Sequence, residues 1–235
     1  MVRAVVVAAG RSRRMGEGID KLLLPLAGRP VLAHSLAVLD ESSWIAEYVL
    51  VVNAQQVAKF FRLAREQWGC RKLAGVVPGG ETRRDSVWEG LNALPENTRI
   101  VVVHDGARPF LRTGFVERVV AEAERWGAAT LAVPVRDTVK RVGAGGLVLN
   151  TIPRETLWLA QTPQAFSFPL LREAHHKART EQIAATDDAS LVEALGRQVK
   201  VVEGSYLNIK ITTPEDMVLA RAIAAQVAQG KGTKA

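Results

Sequence analysis

Length, composition and charge already restrict what this chain can be. Its 235 residues are 48% hydrophobic and 23% charged, which is typical of a soluble globular protein with one main core. A single cysteine excludes an internal disulfide and a cysteine-based zinc site, and no apolar stretch reaches the roughly 20 residues of a membrane span.

The same features indicate a compartment and a kind of ligand. The N-terminal apolar run leads into a glycine and a basic loop instead of a signal-peptide cleavage site, so we expect a cytoplasmic protein that is not membrane-bound. The formal net charge of +7 keeps a nucleic-acid binder open as a hypothesis. The basic residues lie singly or in short clusters beside glycines, which favours a small polyanion such as a triphosphate.

Short valine-rich runs alternate with amphipathic segments over the first 135 residues. The apolar runs predict strands buried on both faces, at 2–8, 48–52, 100–103 and 130–135. The amphipathic segments predict helices, at 31–39, 55–68, 84–94 and 115–126. This alternation predicts an α/β fold with a mostly parallel sheet and helices on both faces.

The pattern changes after residue 135. Residues 138–142 and 147–150, joined by a glycine-rich turn, predict a β-hairpin within an arm spanning 137–155. The core then resumes with helices at 169–180 and 188–195, strands at 199–203 and 207–211, and a last helix from Pro214 to Gly230. We therefore expect one domain over 1–230 and a disordered tail at 231–235.

A glycine loop loaded with cations follows the first strand. Ala8, Ala9 and Gly10 let backbone amides approach an anion, and Arg14 and Lys21 follow shortly after. The spacing fits neither a Walker loop nor the dinucleotide fingerprint. The loop is either an ordinary solvated connection or a place where cations neutralise charge on a reacting phosphate.

Three other segments carry candidate ligand-binding residues. An apolar strand ends at Asp105, which should lie at the same edge of the sheet. A carboxylate beside a triphosphate is a typical Mg²⁺ ligand, and Arg108 can bind a phosphate. The alternative is an ordinary Asp-Gly turn without a ligand. Gly79 and Gly80 precede a helix that starts near residue 82 or 83, which suits either anion binding or plain capping. Lys210 either faces an anion or extends to solvent from an edge strand.

Taken in order, these fragments resemble the 2-C-methyl-D-erythritol 4-phosphate cytidylyltransferases of the non-mevalonate isoprenoid pathway. Each fragment is weak alone, whereas the ordered set covers nearly the whole chain. The matching fragments are Ala8-Ala9-Gly10 with Arg14-Met15 and Lys21, Gly79-Gly80 with Arg83 and Ser86-Val87, His104-Asp105 with Ala107-Arg108-Pro109, Thr162-Pro163-Gln164, Thr186-Asp187-Asp188-Ala189-Ser190, and Asn208-Ile209-Lys210 with Pro214-Glu215-Asp216.

The resemblance implies a Rossmann-like nucleotidyltransferase fold, Mg²⁺ as cofactor, CTP and methylerythritol phosphate as substrates, and a homodimer in which the hairpin arm embraces the partner. It implies catalytic roles for Arg14, Lys21 and Lys210, and Asp105 as the metal ligand. Nucleotide contacts are implied for Ala8, Ala9, Gly10, Gly79, Gly80, Arg83, Ser86, Asp105 and Ala107. Acceptor contacts are implied for Arg108, Thr138, Arg154, Thr162 and Thr186, with Arg108 and Thr138 supplied across the dimer.

The sequence departs from the family beside one implied catalytic residue, since Asp20 and Leu22 flank Lys21 where the family usually has proline and glutamine. Two further hypotheses stay open, a ribitol 5-phosphate cytidylyltransferase and a catalytically silent nucleotide-binding module. All of the transferase readings require that Arg14, Lys21, Asp105 and Lys210 converge at one edge of the sheet.

Overall fold

The structure is a computed structural model that describes residues 1–10, 13–15 and 20–231. Its strands are β1 Val2–Val7, β2 Pro25–Leu26, β3 Arg29–Pro30, β4 Glu47–Val52, β5 Leu73–Pro78, β6 Ile100–Asp105, β7 Ala128–Pro134, β8 Val139–Val142, β9 Val148–Ile152, β10 Trp158–Ser167 and β11 Lys200–Glu203. Its α-helices are α1 Val31–Glu41, α2 Val57–Arg62, α3 Arg83–Asn92, α4 Thr113–Trp126, α5 Phe168–Thr180, α6 Asp188–Glu193 and α7 Pro214–Lys231.

The main sheet is mixed and mostly parallel, as predicted. Within the described ranges it has seven strands in the order β11-β7-β10-β6-β1-β4-β5. The pairs β1–β4, β1–β6, β4–β5 and β7–β11 are parallel, and β10 runs antiparallel between β6 and β7. The carboxyl ends of β1, β4, β5 and β6 therefore lie along one edge of the sheet.

Helices cover both faces of this sheet. Val6 of β1 belongs to the core shared with α1, α2 and α4, whereas its neighbour Val5 belongs to the core shared with α3, α5 and α6. Successive side chains of a strand point to opposite faces, so a strand covered on both sides must be apolar throughout. This arrangement explains the continuous valine runs. None of the helices in the described part of the chain is long and apolar enough to span a membrane.

Several predicted boundaries were wrong. The helix predicted at 55–68 is a 3-10 turn, the short helix α2 and a π-helical turn at Leu63–Gln67, and the strand predicted at 207–211 is a loop. Strands β5 and β10 were missed, because β5 is a partly exposed edge strand containing Gly75 and β10 carries buried polar residues in its centre. The last helix continues to Lys231, and the rest of the predicted tail lies outside the described residues.

The predicted hairpin is present as a separate two-stranded sheet of β8 and β9. Its apolar side chains are largely exposed: Leu147 is 73% exposed and Leu149 is 65% exposed. An isolated two-stranded hairpin is marginally stable in water, and exposed apolar patches commonly mark interaction surfaces.

Close packing of α3 on the sheet leads to a stability prediction. A Cβ at Gly90 would lie 2.3 Å from Val5 Cγ1 and 3.0 Å from Val51 Cγ2. Helix propensity alone makes alanine better than glycine by about 1 kcal/mol, but overpacking costs about 1–3 kcal/mol. We therefore expect Gly90→Ala to lower the free energy of unfolding in urea titrations.

Gly114→Ala in α4 is the matched control, because a Cβ there meets no atom within 4 Å and the residue is exposed. We expect the control to be neutral or slightly stabilising. An equal rise in stability for both variants would contradict the tight contact between α3 and β1.

Candidate active site

Backbone hydrogen bonds join the loops that leave the carboxyl edge of the sheet. The amide of Ala8 donates to the carbonyl of Val51 at 2.7 Å, and the amide of Gly79 donates to the carbonyl of Val52 at 2.7 Å. The amide of Gly106 donates in the same way to β1. The loops after β1, β5 and β6 are therefore held side by side.

Gly79 lets two of the predicted nucleotide-binding segments meet. A Cβ on this residue would lie 2.5 Å from Ala9 Cβ and 2.8 Å from Ser86 Oγ, so only glycine fits without a shift. The start of α3 agrees with the prediction, since Thr82 and Asp85 form a reciprocal capping box. The Ser86 side chain is buried and donates to the carbonyl of Thr82 at 2.9 Å, so its contact to a nucleotide stays a prediction.

Asp105, at the end of β6, is a carboxylate that is only 6% exposed and is surrounded by cations. Lys210 Nζ lies 2.8 Å from Oδ2, Arg83 Nε lies 3.1 Å from Oδ1, and Arg108 Nε lies 3.7 Å from Oδ2. Burial by itself raises the pKa of Asp105, but Arg83, Lys210 and Arg108 together hold it well below its usual range. Asp105 is therefore ionised at neutral pH.

Arg14 and Lys21 approach this cluster from the loop after β1. Burial lowers the pKa of Lys21, and the nearby charges of Lys210 and Arg14 lower it further. Met15 is buried against α7 and so holds the neighbouring Arg14 near the site. The structure thus brings Lys21, Asp105 and Lys210 together and places Arg14 near Lys21, while their individual roles stay predictions.

The loop before α7 carries Lys210 into the site. Asn208 is fully buried, and its side-chain amide donates to the carbonyl of Thr162 at 2.9 Å. Its own carbonyl accepts a hydrogen bond of 2.8 Å from Arg108. The strand predicted here is instead an irregular loop, held by these hydrogen bonds with side chains. The loop places Lys210 between β10 and the loop after β6.

A buried histidine links β6 to β10. The hydroxyl of Thr162 accepts from the amide of Asp105 at 3.0 Å and lies 3.1 Å from His104 Nδ1. His104 is fully buried, and burial lowers its pKa to about 4. His104 is therefore uncharged at neutral pH and has a structural role here, and the Thr162 hydroxyl already has protein partners.

The pocket beside this cluster unites six of the predicted site residues, Arg83, Asp105, Arg108, Thr162, Thr186 and Lys210. Sequence reasoning did not assign site roles to Ala160, Gln161, Gln164 and Asp187, which also line it. The two glutamines are buried polar residues within strand β10. Polar residues between the apolar residues of a strand are the signal that marks them as candidate site residues. Gln164 donates to Asp187 at 2.7 Å and so ties β10 to the start of α6.

The other predicted residues lie outside the lining of this pocket. Ala8, Ala9, Gly10, Gly79, Gly80 and Ala107 belong to the adjoining loops at the same edge. Thr138 and Arg154 are exposed at the base of the hairpin, where Arg154 donates to the carbonyl of Arg136. Arg108 lies beside the Asp105 of its own chain, and its supply across a dimer stays a prediction.

Residues 2–226 match the family model described as 2-C-methyl-D-erythritol 4-phosphate cytidylyltransferase. The chain belongs to this family. A cytidylyltransferase of this name from Pelotomaculum thermopropionicum is 56% identical over 223 residues, covering 94% of this chain and 93% of the relative. Its counterpart from Halalkalibacterium halodurans is 47% identical and covers 94% of this chain and 96% of the relative.

Solved structures of the cytidylyltransferase family confirm the fold. The enzyme from Thermus thermophilus is similar with a TM-score of 0.77 and 38% identity, covering 94% of this chain and 98% of that one. The 4-diphosphocytidyl-2C-methyl-D-erythritol synthase from Anaerococcus prevotii has a TM-score of 0.83 at 31% identity, covering 94% and 96%. The Rossmann-like nucleotidyltransferase fold predicted from the sequence is therefore confirmed.

The departure beside Lys21 has a structural explanation within this cytidylyltransferase. Asp20 Oδ1 accepts from the amide of Leu22 at 3.1 Å and so caps the 3-10 turn that begins at Lys21. Its other oxygen accepts from Gln56 Nε2 at 3.1 Å. The Asp20 side chain thus caps the start of this turn and is itself held by Gln56, in the segment after β4.

This anchor predicts a local effect at Gln56. Gln56→Ala removes one of the two hydrogen bonds on the Asp20 carboxylate, and such a bond contributes about 0.5–1.5 kcal/mol. We expect the amide of Leu22 to exchange with solvent roughly 2- to 12-fold faster, measured by hydrogen exchange with NMR detection. Gln55→Ala is the control, because the exposed Gln55 uses only its backbone amide in the turn. Unchanged exchange in Gln56→Ala would show that Asp20 is held without this bond.

Proposed function

We propose that this chain transfers the cytidylyl group of CTP to 2-C-methyl-D-erythritol 4-phosphate, giving 4-diphosphocytidyl-2-C-methyl-D-erythritol and pyrophosphate. The convergence of Lys21, Arg108 and Lys210 around Asp105, with Arg14 near Lys21, carries this proposal. Family membership supports it, and the names of the relatives favour this acceptor over ribitol 5-phosphate.

The cation cluster suits a triphosphate. Among the described residues, Arg83 Nη2 and Arg108 Nε are buried nitrogen atoms without a hydrogen-bond acceptor. Buried donors are normally satisfied, and guanidinium groups bind phosphate oxygens well. An anion that enters the pocket would meet the positive charges of Arg83, Arg108 and Lys210, which line it.

The chemistry needs no covalent enzyme intermediate. A phosphate oxygen of the acceptor forms a bond to the α-phosphorus of CTP while the bond from that phosphorus to the bridging oxygen of the β-phosphate breaks, and pyrophosphate leaves. Because the acceptor arrives ionised, catalysis can rest on positioning and on stabilisation of negative charge. We assign that stabilisation to Arg14, Lys21 and Lys210.

We propose Mg²⁺ as the cofactor and Asp105 as its protein ligand. Magnesium sites at nucleotides typically use one or two carboxylates and complete their shell with phosphate oxygens and water. Among the described residues there is no group of three or more His, Cys, Asp or Glu side chains that could hold a metal ion. Asp105 therefore fits a metal that arrives with the nucleotide, where the metal would neutralise phosphate charge.

The remaining assignments follow the position of each residue. We propose that the loops containing Ala8–Gly10, Gly79–Gly80 and Ala107, together with Arg83 and Ser86, bind the nucleotide. We propose that Arg108, Thr162 and Thr186, which line the pocket, bind the acceptor. A cytoplasmic location, where CTP is available, is part of the same proposal.

We also propose a homodimer formed through the hairpin arm, so that Thr138 reaches the partner's site, and we propose Arg154 as a further acceptor contact. The arm region carries an exposed apolar surface on Val142, Leu147, Val148, Leu149, Trp158 and Leu159. Covering such a surface with a second copy of the chain removes it from water.

Pyrophosphate release tests the activity directly. We expect release with CTP, Mg²⁺ and 2-C-methyl-D-erythritol 4-phosphate, and much less when ribitol 5-phosphate replaces the acceptor. Lys21→Ala should lower turnover by roughly 10²- to 10³-fold, because it removes charge needed in the transition state, while CTP binding measured by calorimetry largely persists.

Lys59→Ala is the matched control, since Lys59 is exposed on α2. It should keep full turnover. A folded wild-type protein that binds CTP but releases no pyrophosphate with either acceptor would support the silent nucleotide-binding module instead.

The hairpin predicts a change of mass in solution. Leu147→Asp combined with Leu149→Asp places charges on the apolar surface, and we expect the mass from light scattering to fall from twice 25.5 kDa to 25.5 kDa. Val218→Asp is the control, because Val218 is 69% exposed on α7, away from the arm. A wild-type mass of 25.5 kDa would refute the dimer.

A further inference from the structure

A line of buried polar side chains runs from α5 to the active-site carboxylate. His175 Nε2 lies 2.9 Å from Asp188 Oδ1, and Asp188 Oδ2 lies 2.7 Å from Arg83 Nη1. Arg83 Nε in turn lies 3.1 Å from Asp105 Oδ1. His175 and Asp188 are 0% and 1% exposed and do not line the pocket, whereas Arg83, which contacts Asp188, does.

From this line we infer that His175 and Asp188 are positioning residues, which act through Arg83 to fix the orientation of the Asp105 carboxylate. The inference rests on the proposed function for its catalytic consequence. A buried ion pair contributes little net stability compared with apolar packing, because desolvation offsets the attraction. Such a pair does, however, restrict its members to one geometry, which is what a preorganised site requires.

Arg83 is the fixed member among the cations that contact Asp105. Its guanidinium joins two buried carboxylates, so moving it would leave the charge of Asp188 unpaired. Lys210 and Arg108 approach the other oxygen, Oδ2, and Lys210 is 37% exposed. Oδ1 is thus held by Arg83, while Oδ2 contacts Lys210, the more exposed of the cations around it.

The ring of His175 is oriented for its part in this line. It stacks on Trp88 with an interplanar angle of 24°, which sets the plane of the imidazole. A carboxylate only accepts hydrogen bonds, so Nε2 carries a hydrogen atom and donates the bond that Asp188 Oδ1 accepts. Nδ1 is buried and has no partner among the described residues, so the Nε2 contact to Asp188 is the polar contact that the ring makes there.

Two substitutions at His175 separate positioning from packing. His175→Phe keeps a ring against Trp88 but removes the donor, whereas His175→Gln keeps an N–H donor near the position of Nε2. We expect His175→Phe to lower kcat by roughly 10-fold with KM for the acceptor changed less than about 3-fold, and His175→Gln to restore most of the loss. His176→Phe is the control, because this adjacent histidine is exposed. Equal losses in Phe and Gln variants would overturn the proposal.

A double-mutant cycle tests whether the effect passes through Arg83. In an Arg83→Lys background the ammonium group cannot join both carboxylates in the same way, so His175→Phe should cause no further loss of kcat. Independent, multiplied losses would show that His175 acts by another route and would overturn the proposal.

A spectroscopic readout separates this inference from the proposed activity. The side-chain Nε–H signal of Arg83, assigned by its loss in Arg83→Lys, should shift or broaden in His175→Phe and stay in place in His175→Gln and His176→Phe. If the wild type releases no pyrophosphate, the proposed function fails while this measurement still decides the positioning. An unchanged Arg83 signal in folded His175→Phe would refute it.

Discussion

The ionised carboxylate of Asp105 is the group on which the whole site depends. It is almost fully buried, and a buried charge is tolerated only when it is paired and hydrogen-bonded. Conversely, Arg83, Arg108 and Lys210 would repel one another without an anion between them. The carboxylate therefore holds together α3, the loop after β6 and the loop before α7, which are far apart in the chain.

The sheet provides the geometry for this pairing. Parallel strands β1 and β6 deliver their carboxyl ends to one edge, and β10 enters between β6 and β7 in the opposite direction. The register shift of β10 between Gln161 and Gln164 falls at the pocket. Polar side chains can lie there because Thr130, Asn208 and the start of α6 satisfy their hydrogen bonds.

The cations of the candidate site differ in how many buried contacts hold them. Arg83 is confined by two carboxylates and lies on the first turn of a helix with a capping box. Lys210 lies on an irregular segment and is partly exposed. Such a division suits phosphate chemistry, in which one set of charges orients the reactants and another follows the developing charge.

The local sequence pattern was sufficient to predict the α/β class, the burial of β1 and β6 on both faces and the start of α3. The ordered motifs were sufficient to predict the family. Each of these depends on residues close together in the chain. The reversed direction of β10, the loop around Asn208, the hydrogen bond from Arg108 to the Asn208 carbonyl and the line from His175 to Arg83 were decided by the tertiary structure. These features rest on contacts between residues up to 105 positions apart, as for Arg83 and Asp188, and such contacts leave no periodic or compositional signal in either segment alone.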